Sequence, residues 1–210
     1  MKGIFSYDGF LNQTINKLID AVCLNILWFL FSVPVITIGA ASTAMYYTFH
    51  KVIRRREGYL FQEFWRSFKQ NVKQTIPVWL LIFVIYLILL INGYLSYVFY
   101  INDVVPLGIL IVILVVTALV MIWSSYLFPY LGRFNDTSKT AAKNSMYMMA
   151  MHIPASVALL AVSLGTIGIV ICLPMGLLYA PGICVWLQNL ILEPIFRKYI
   201  EANPLSDEAD

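Results

Sequence analysis

His50 and His152 are the only histidines in 210 residues, so an imidazole-based metal or acid–base site would have to be built around one of them. They lie far apart in the chain. A two-histidine, one-carboxylate site would need Glu57, Glu63 or Asp136, and no HExxH or comparable spacing supplies it. Both histidines read as interfacial, and no metal or cofactor is expected. Serines are plentiful, but there is no GxSxG elbow and no serine–lysine pair within one apolar segment. Without a GxxxxGK[ST] loop the chain is no nucleotide-hydrolysing subunit. Cys23, Cys172 and Cys184 show neither CxxC nor CxxH spacing and read as small apolar packing residues. The expectation is a protein that is not an enzyme.

Ion-coupled transport needs a titratable or coordinating group at depth in the membrane. The long apolar runs contain no Asp, Glu, Lys or Arg; Asp20 and Glu193 fall at run ends and Asp103 in a connection. Asn25, Asn92 and Gln188 lie within runs and are expected to hydrogen-bond between helices rather than to hold a substrate. A sugar carrier would bring aromatic and amide groups together at mid-membrane, with Trp28, Asn25, Tyr86, Trp123 and Trp186 as the candidates. Aromatic residues near span ends more often form an interfacial belt.

Composition identifies what must position these residues. The chain is 60% hydrophobic and 12% charged, with a mean hydropathy of +0.80, too little polar surface to cover a soluble globule. Charge-free runs cover Ala21 to His50, Gln74 to Asn102, Val104 to Gly132 and Asn144 to Leu192. Each can span a bilayer, and the last, 49 residues broken by "CLPMGLLYAPG", must do so twice. The alternation of a membrane barrel is absent. The reading is an all-α membrane protein, one domain over residues 1–210. Because "FLNQTINKLID" and other largely polar sequence precedes the first run, that run is not expected to be a cleaved leader.

Cations orient the bundle. Lys51 to Lys73 carries seven Lys or Arg and Gly132 to Lys143 three, whereas the connections around Asp103 and Met175 carry none. The positive-inside rule makes the basic segments and the Arg197–Lys198 tail cytoplasmic. About six spans are expected, near 18–34, 38–54, 76–101, 105–130, 147–172 and 176–194, with both termini cytoplasmic.

The first two spans are the least regular. "SVPVITIGAAST" breaks the opening run, and Pro34, Thr37 and Gly39 are its expected turn residues. Proline lacks a donor, threonine bonds freed backbone groups and glycine tolerates a turn. A short hairpin with its turn at or just inside the outer surface is expected; a single kinked helix, giving five spans, is the alternative. Gly39, Ala40, Ala41, Ser42 and Ala44 would allow close helix approach.

Phe61, Phe64, Trp65, Phe68, Val72 and Ile76 share one helical face, with Arg66, Lys69 and Lys73 opposite. This predicts an amphipathic helix over about 59–74, flat on the cytoplasmic interface against anionic lipid headgroups. A weaker stretch of this kind, with Phe5, Phe10, Leu11, Ile15 and Leu18, opens the chain. Arg54, Arg55, Arg56, Phe64, Trp65, Arg66, Phe68 and Arg133 are the candidate contacts to a partner or to lipid. Inner-face cations more often act only as topology determinants.

The segments "SVPVITIGAA", "FWRSFKQN" and "LFPYLGRFNDTSKTAAKNS" make nearly the whole chain resemble the YesL-like family of bacterial membrane proteins, a domain of unknown function. The family's members are often encoded beside carbohydrate uptake transporters and polysaccharide-degrading enzymes. The resemblance implies a role near sugar import in the cell membrane and brings no site residues with it. Three functions are weighed: an accessory or regulatory protein beside an ABC-type carbohydrate importer, an uncoupled carrier or channel for a small neutral solute, and an intramembrane enzyme. Elimination and resemblance favour the first, with the lipid bilayer and a transporter complex as partners. The net charge of +3 follows from inner-face loops and calls for no nucleic acid.

Overall fold

A computed structural model describes residues 10–202 except Asp103 and Pro174, with side chains from Ile19 to Glu201. Helix α1, Phe10–Ser32, stops short of Pro34, whose ring disfavours helix at the preceding residue. A 3₁₀ turn, Val35–Thr37, follows, and the Thr37 hydroxyl lies 2.6 Å from the Phe31 carbonyl and 2.7 Å from that of Pro34. It thereby meets an acceptor left open at the end of α1. Gly39 belongs not to the turn but to α2, Ile38–Thr48. A Cβ there would stand 2.7 Å from Trp79 Cβ and 3.0 Å from the Phe128 ring, so glycine serves close helix approach. Ala40, Ala41 and Ala44 are wholly buried alongside it. The weak amphipathic stretch at the N-terminus lies outside the residues whose side chains are described.

A separate interfacial helix is not found. Helix α3, Leu60–Ile101, is one helix of 42 residues that passes through Pro77. Proline is tolerated where neighbouring groups re-satisfy the backbone. The apolar face of its first turns is covered by protein only in part: Phe64 is fully buried and Phe31 packs on Phe64, Trp65 and Phe68 with centroids 5.5, 5.6 and 4.9 Å away, while Phe61 and Trp65 stay exposed.

The opening hairpin is also shallower than expected. It lies along the first part of α3, from Lys51 Nζ 3.5 Å from Glu63 to Trp79 Nε1 donating to the Val35 carbonyl at 2.7 Å. Leu80 to Ile101 run about 33 Å further at 1.5 Å per residue. The Pro34 turn therefore meets α3 where the expected third span begins, not where it ends. With only 11 residues in α2 and six in the π-helical segment that follows, the returning arm is too short to do otherwise.

Helix α4, Leu107–Arg133, returns antiparallel to α3, with Trp79 on Phe128 and the Tyr86 and Ser124 hydroxyls 3.1 Å apart. The expected span over 147–172 divides into α5, Ser138–Met151, and α6, Ile153–Cys172. His152, at φ −118° and ψ 58°, breaks them, because Pro154 cannot donate into a continuing helix. Helix α7, Gly176–Ala202, starts against the end of α6 at Ile169 and runs back to the end of α4, where Glu193 meets Arg133. The described residues contain no β-strand.

Three helices, α3, α4 and α6, are long and apolar enough to cross a membrane, yet only 6%, 6% and 11% of their most apolar windows are buried. Exposed apolar surface on that scale calls for lipid as solvent. Cys23 and Cys172 lie on this exposed surface instead of packing inside, while Cys184 is half-buried. The basic segments gather at the opposite end from the α3–α4 and α6–α7 connections, and the dense core around Tyr46, Phe64, Leu131 and Phe196 sits there with them.

Candidate functional site

Glu193 is the centre of the most concentrated polar group among the described residues. Its Oε1 lies 3.3 Å from Arg133 Nη2, and its Oε2 lies 3.2 Å from His50 Nδ1. One turn earlier on α7, Asn189 accepts from Arg54 Nη1 through its side chain at 2.6 Å and its backbone carbonyl at 3.1 Å. The pairs His50/Arg54 and Asn189/Glu193 are each four residues apart, so two helical faces meet. His50 and Arg54 lie on a π-helical segment, Phe49–Arg54, an uncommon geometry that recurs at functional sites.

Burial makes this cluster costly to disturb. Arg133 is 5%, Glu193 8%, His50 6% and Asn189 1% exposed. A carboxylate and a guanidinium so far from water stay ionised together only through each other and their hydrogen bonds. His50 Nδ1 bonds the carboxylate only when it carries a proton, while His50 Nε2 has no hydrogen-bond partner. A second, smaller group lies beside it: Lys51 Nζ donates to Tyr47 Oη at 3.0 Å and pairs with Glu63.

The expected contact residues divide. Arg54, Arg55, Arg56, Arg66 and Trp65 are exposed at the basic end. Arg133 is not a surface contact: it is buried against Glu193, because α7 continues past the expected span end and covers it. Phe64 is buried and Phe68 half-buried, so neither faces acyl chains as expected.

The amides also depart from expectation. Asn25 Nδ2 donates to Ala21 O and Asn92 Nδ2 to Ile88 O, each within its own helix. Hydroxyls and indoles make the crossings: Ser125 to Ser163 at 3.1 Å, Tyr126 to Ser156 at 3.2 Å, and Trp123 Nε1 to Ser145 at 3.0 Å. Such interhelical bonds are a common glue in membranes.

Two hollows adjoin these groups. A cleft of about 720 Å³ at the basic end is lined by His50, Arg54, Arg55, Arg133, Arg197 and Lys198. A cavity of about 330 Å³ among the helices is lined by Trp28, Trp79, Tyr86, Ser124, Thr166 and Gln188, with further apolar side chains. Of the expected sugar-facing residues Trp28 and Tyr86 come together here, beside Gln188, whereas Asn25, Trp123 and Trp186 do not line it. Among the described residues no three His, Cys, Asp or Glu side chains are close enough to share a metal ion.

No curated protein and no solved structure matches the chain. Residues 21–93 match the family model described as "Protein of unknown function, DUF624". That stretch holds the Pro34 turn, His50 and Arg54, but not Arg133, Asn189 or Glu193, so the match covers one side of the buried cluster and not the other.

Proposed function

We propose that this chain is a non-enzymatic accessory or regulatory membrane protein that works beside a carbohydrate uptake complex of the ABC type. It crosses the bacterial cell membrane several times, with its basic end and both termini cytoplasmic. The observation that carries the reading is the basic end itself. Arg54, Arg55, Arg56 and Arg66 stand exposed there with Trp65, on a base held by the Arg133–Glu193–His50 cluster. A densely packed base presenting cations and an aromatic ring is suited to meet a partner protein. The YesL-like resemblance supports this direction, and residues 21–93 match the family of unknown function to which YesL-like proteins belong.

The cavity lined by Trp28, Tyr86 and Gln188 favours a second reading, an uncoupled carrier for a small neutral solute, because aromatic faces and amides are what a sugar would meet. One set of experiments separates the two. Reconstituted alone in liposomes, the accessory protein passes no labelled oligosaccharide, while its deletion in cells alters uptake by a neighbouring sugar system. Robust flux through the isolated protein makes it a carrier. In the same cells, with Cys23, Cys172 and Cys184 replaced, a cysteine replacing Val104 reacts with an impermeant maleimide and one replacing Arg56 does not; the reverse pattern inverts the proposed orientation.

A further inference from the structure

Among the described residues the cleft at the basic end is lined by Arg54, Arg133, Arg197 and Lys198 and by two carboxylates, Glu193 and Glu201. Both carboxylates face a guanidinium of the protein, Glu193 that of Arg133 and Glu201 that of Arg197 at 3.0 Å. Arg54 is oriented by Asn189, a neutral amide, and by a backbone carbonyl, neither of which cancels its charge. Arg54 and Lys198 thereby bring positive charge to a concave wall, where the low-dielectric surroundings focus its field. A guanidinium held at a fixed angle, as that of Arg54 is by Asn189, matches the paired oxygens of a phosphate. His50, 6% exposed and lining the cleft, keeps Nε2 without a hydrogen-bond partner. At about 720 Å³ the hollow is larger than a bare phosphate needs and lies within the usual range for small-molecule pockets, about 300–1,000 Å³. Pro194 and Ile200 add apolar wall for the rest of a ligand.

We propose that this cleft binds a phosphate ester, through Arg54, Arg197 and Lys198 with the buried cluster as its floor. The shared chemistry is a phosphate group on an organic body, which a soluble metabolite or an anionic lipid headgroup would present alike. Binding here does not depend on a transporter partner; it is read on the isolated protein, whereas the accessory role is read in cells.

The test uses the full chain purified in neutral detergent and in phosphatidylcholine nanodiscs. Inorganic phosphate, compared with chloride at equal ionic strength, raises the thermal unfolding midpoint if the cleft takes a soluble ester. Phosphatidic acid doped into the nanodiscs, retained over phosphatidylcholine and not displaced by inorganic phosphate, assigns the lipid headgroup instead. In either arm the variant Arg197→Gln with Lys198→Gln weakens binding about tenfold, near the loss of one charge-assisted hydrogen bond. The charge-matched variant Lys139→Gln with Lys143→Gln, on exposed residues of α5, leaves binding unchanged. Both substituted pairs are exposed, so folding is not at stake. The proposal is overturned if neither probe binds beyond its control, or if the two double variants lose affinity equally.

Discussion

The two ends of the bundle are built on different principles. At the basic end, α2, the π-helical segment, the ends of α4 and α7 and the start of α3 enclose buried charges, and backbones approach closely. A Cβ on Gly132 would lie 2.8 Å from the Thr43 carbonyl oxygen. Toward the other end α3, α4 and α6 expose nearly all of their apolar windows, and a Cβ on Gly108, Gly165 or Gly168 would meet nothing within 4 Å; close backbone approach there is found at the α6–α7 connection, where a Cβ on Gly176 would lie 2.6 Å from the Ile169 carbonyl oxygen. One end is held by protein–protein packing and ion pairing, while the other is left to the lipid. What a substitution costs should therefore depend on which end it strikes.

The largest effect belongs to Glu193. Its replacement by Ala breaks the buried contact with Arg133 Nη2 at 3.3 Å, and breaking a buried pair from one side costs about 3–5 kcal/mol. Unfolding in detergent, followed by heat or by denaturant, should show that loss. Glu201→Ala removes a carboxylate from an exposed pair on the same helix, with side chains 79% and 63% accessible, and should leave the midpoint where it was. The double replacement Arg133→Met with Glu193→Leu should recover most of the stability, since an apolar pair of similar volume removes the buried charges together. A Glu193→Ala variant as stable as the wild type would show that the cluster does not hold the basic end.

Gly132 comes next. The nearest atom to an added Cβ is the Thr43 carbonyl oxygen, part of the backbone and unable to swing away. Gly132→Ala should therefore cost about 1–3 kcal/mol, the range for overpacking. Gly165→Ala, in the open half of α6, should be neutral or gain up to about 1 kcal/mol from its better helix propensity. Equal costs at the two glycines would erase the distinction between the ends.

Much of this division is legible in the residue order, and the missing part has a physical reason. Pro34 and Thr37 mark the break, and the charge-free runs locate α3, α4 and α6, whereas the division of α5 from α6 at His152 departs from the single span expected over 147–172. The depth of the turn is not legible, because Pro34 has the same local effect whether the chain turns at a membrane surface or against Trp79. The continuity of α3 is hidden by Pro77, which reads as a boundary in water and is tolerated in lipid. Arg133 and Glu193 each sit at the edge of a charge-free run, where a topology determinant and half of a buried pair look the same. Only the antiparallel return of α7 tells them apart. A carboxylate followed by Ile195 and Phe196, both buried, is the one local sign that the apolar face continues past it.

The smallest effect is expected in the lipid-facing half, at Ser163. Its hydroxyl lies 3.1 Å from that of Ser125 and ties α6 to α4. An interhelical hydrogen bond in a membrane is worth about 0.6 kcal/mol on average, because the separated helices also find partners. Ser125 has such a partner already, donating to the Met121 carbonyl at 2.9 Å in its own helix. Removing the Ser163 hydroxyl therefore leaves no orphaned group behind. Ser163→Ala should lower stability by about 0.6 kcal/mol or less, close to the resolution of a denaturation midpoint. A loss above about 2 kcal/mol, beyond the largest such bond seen in comparable helices, would mean that polar cross-links hold the lipid-facing half as well. The two ends would then differ in the strength of their bonds and not in kind.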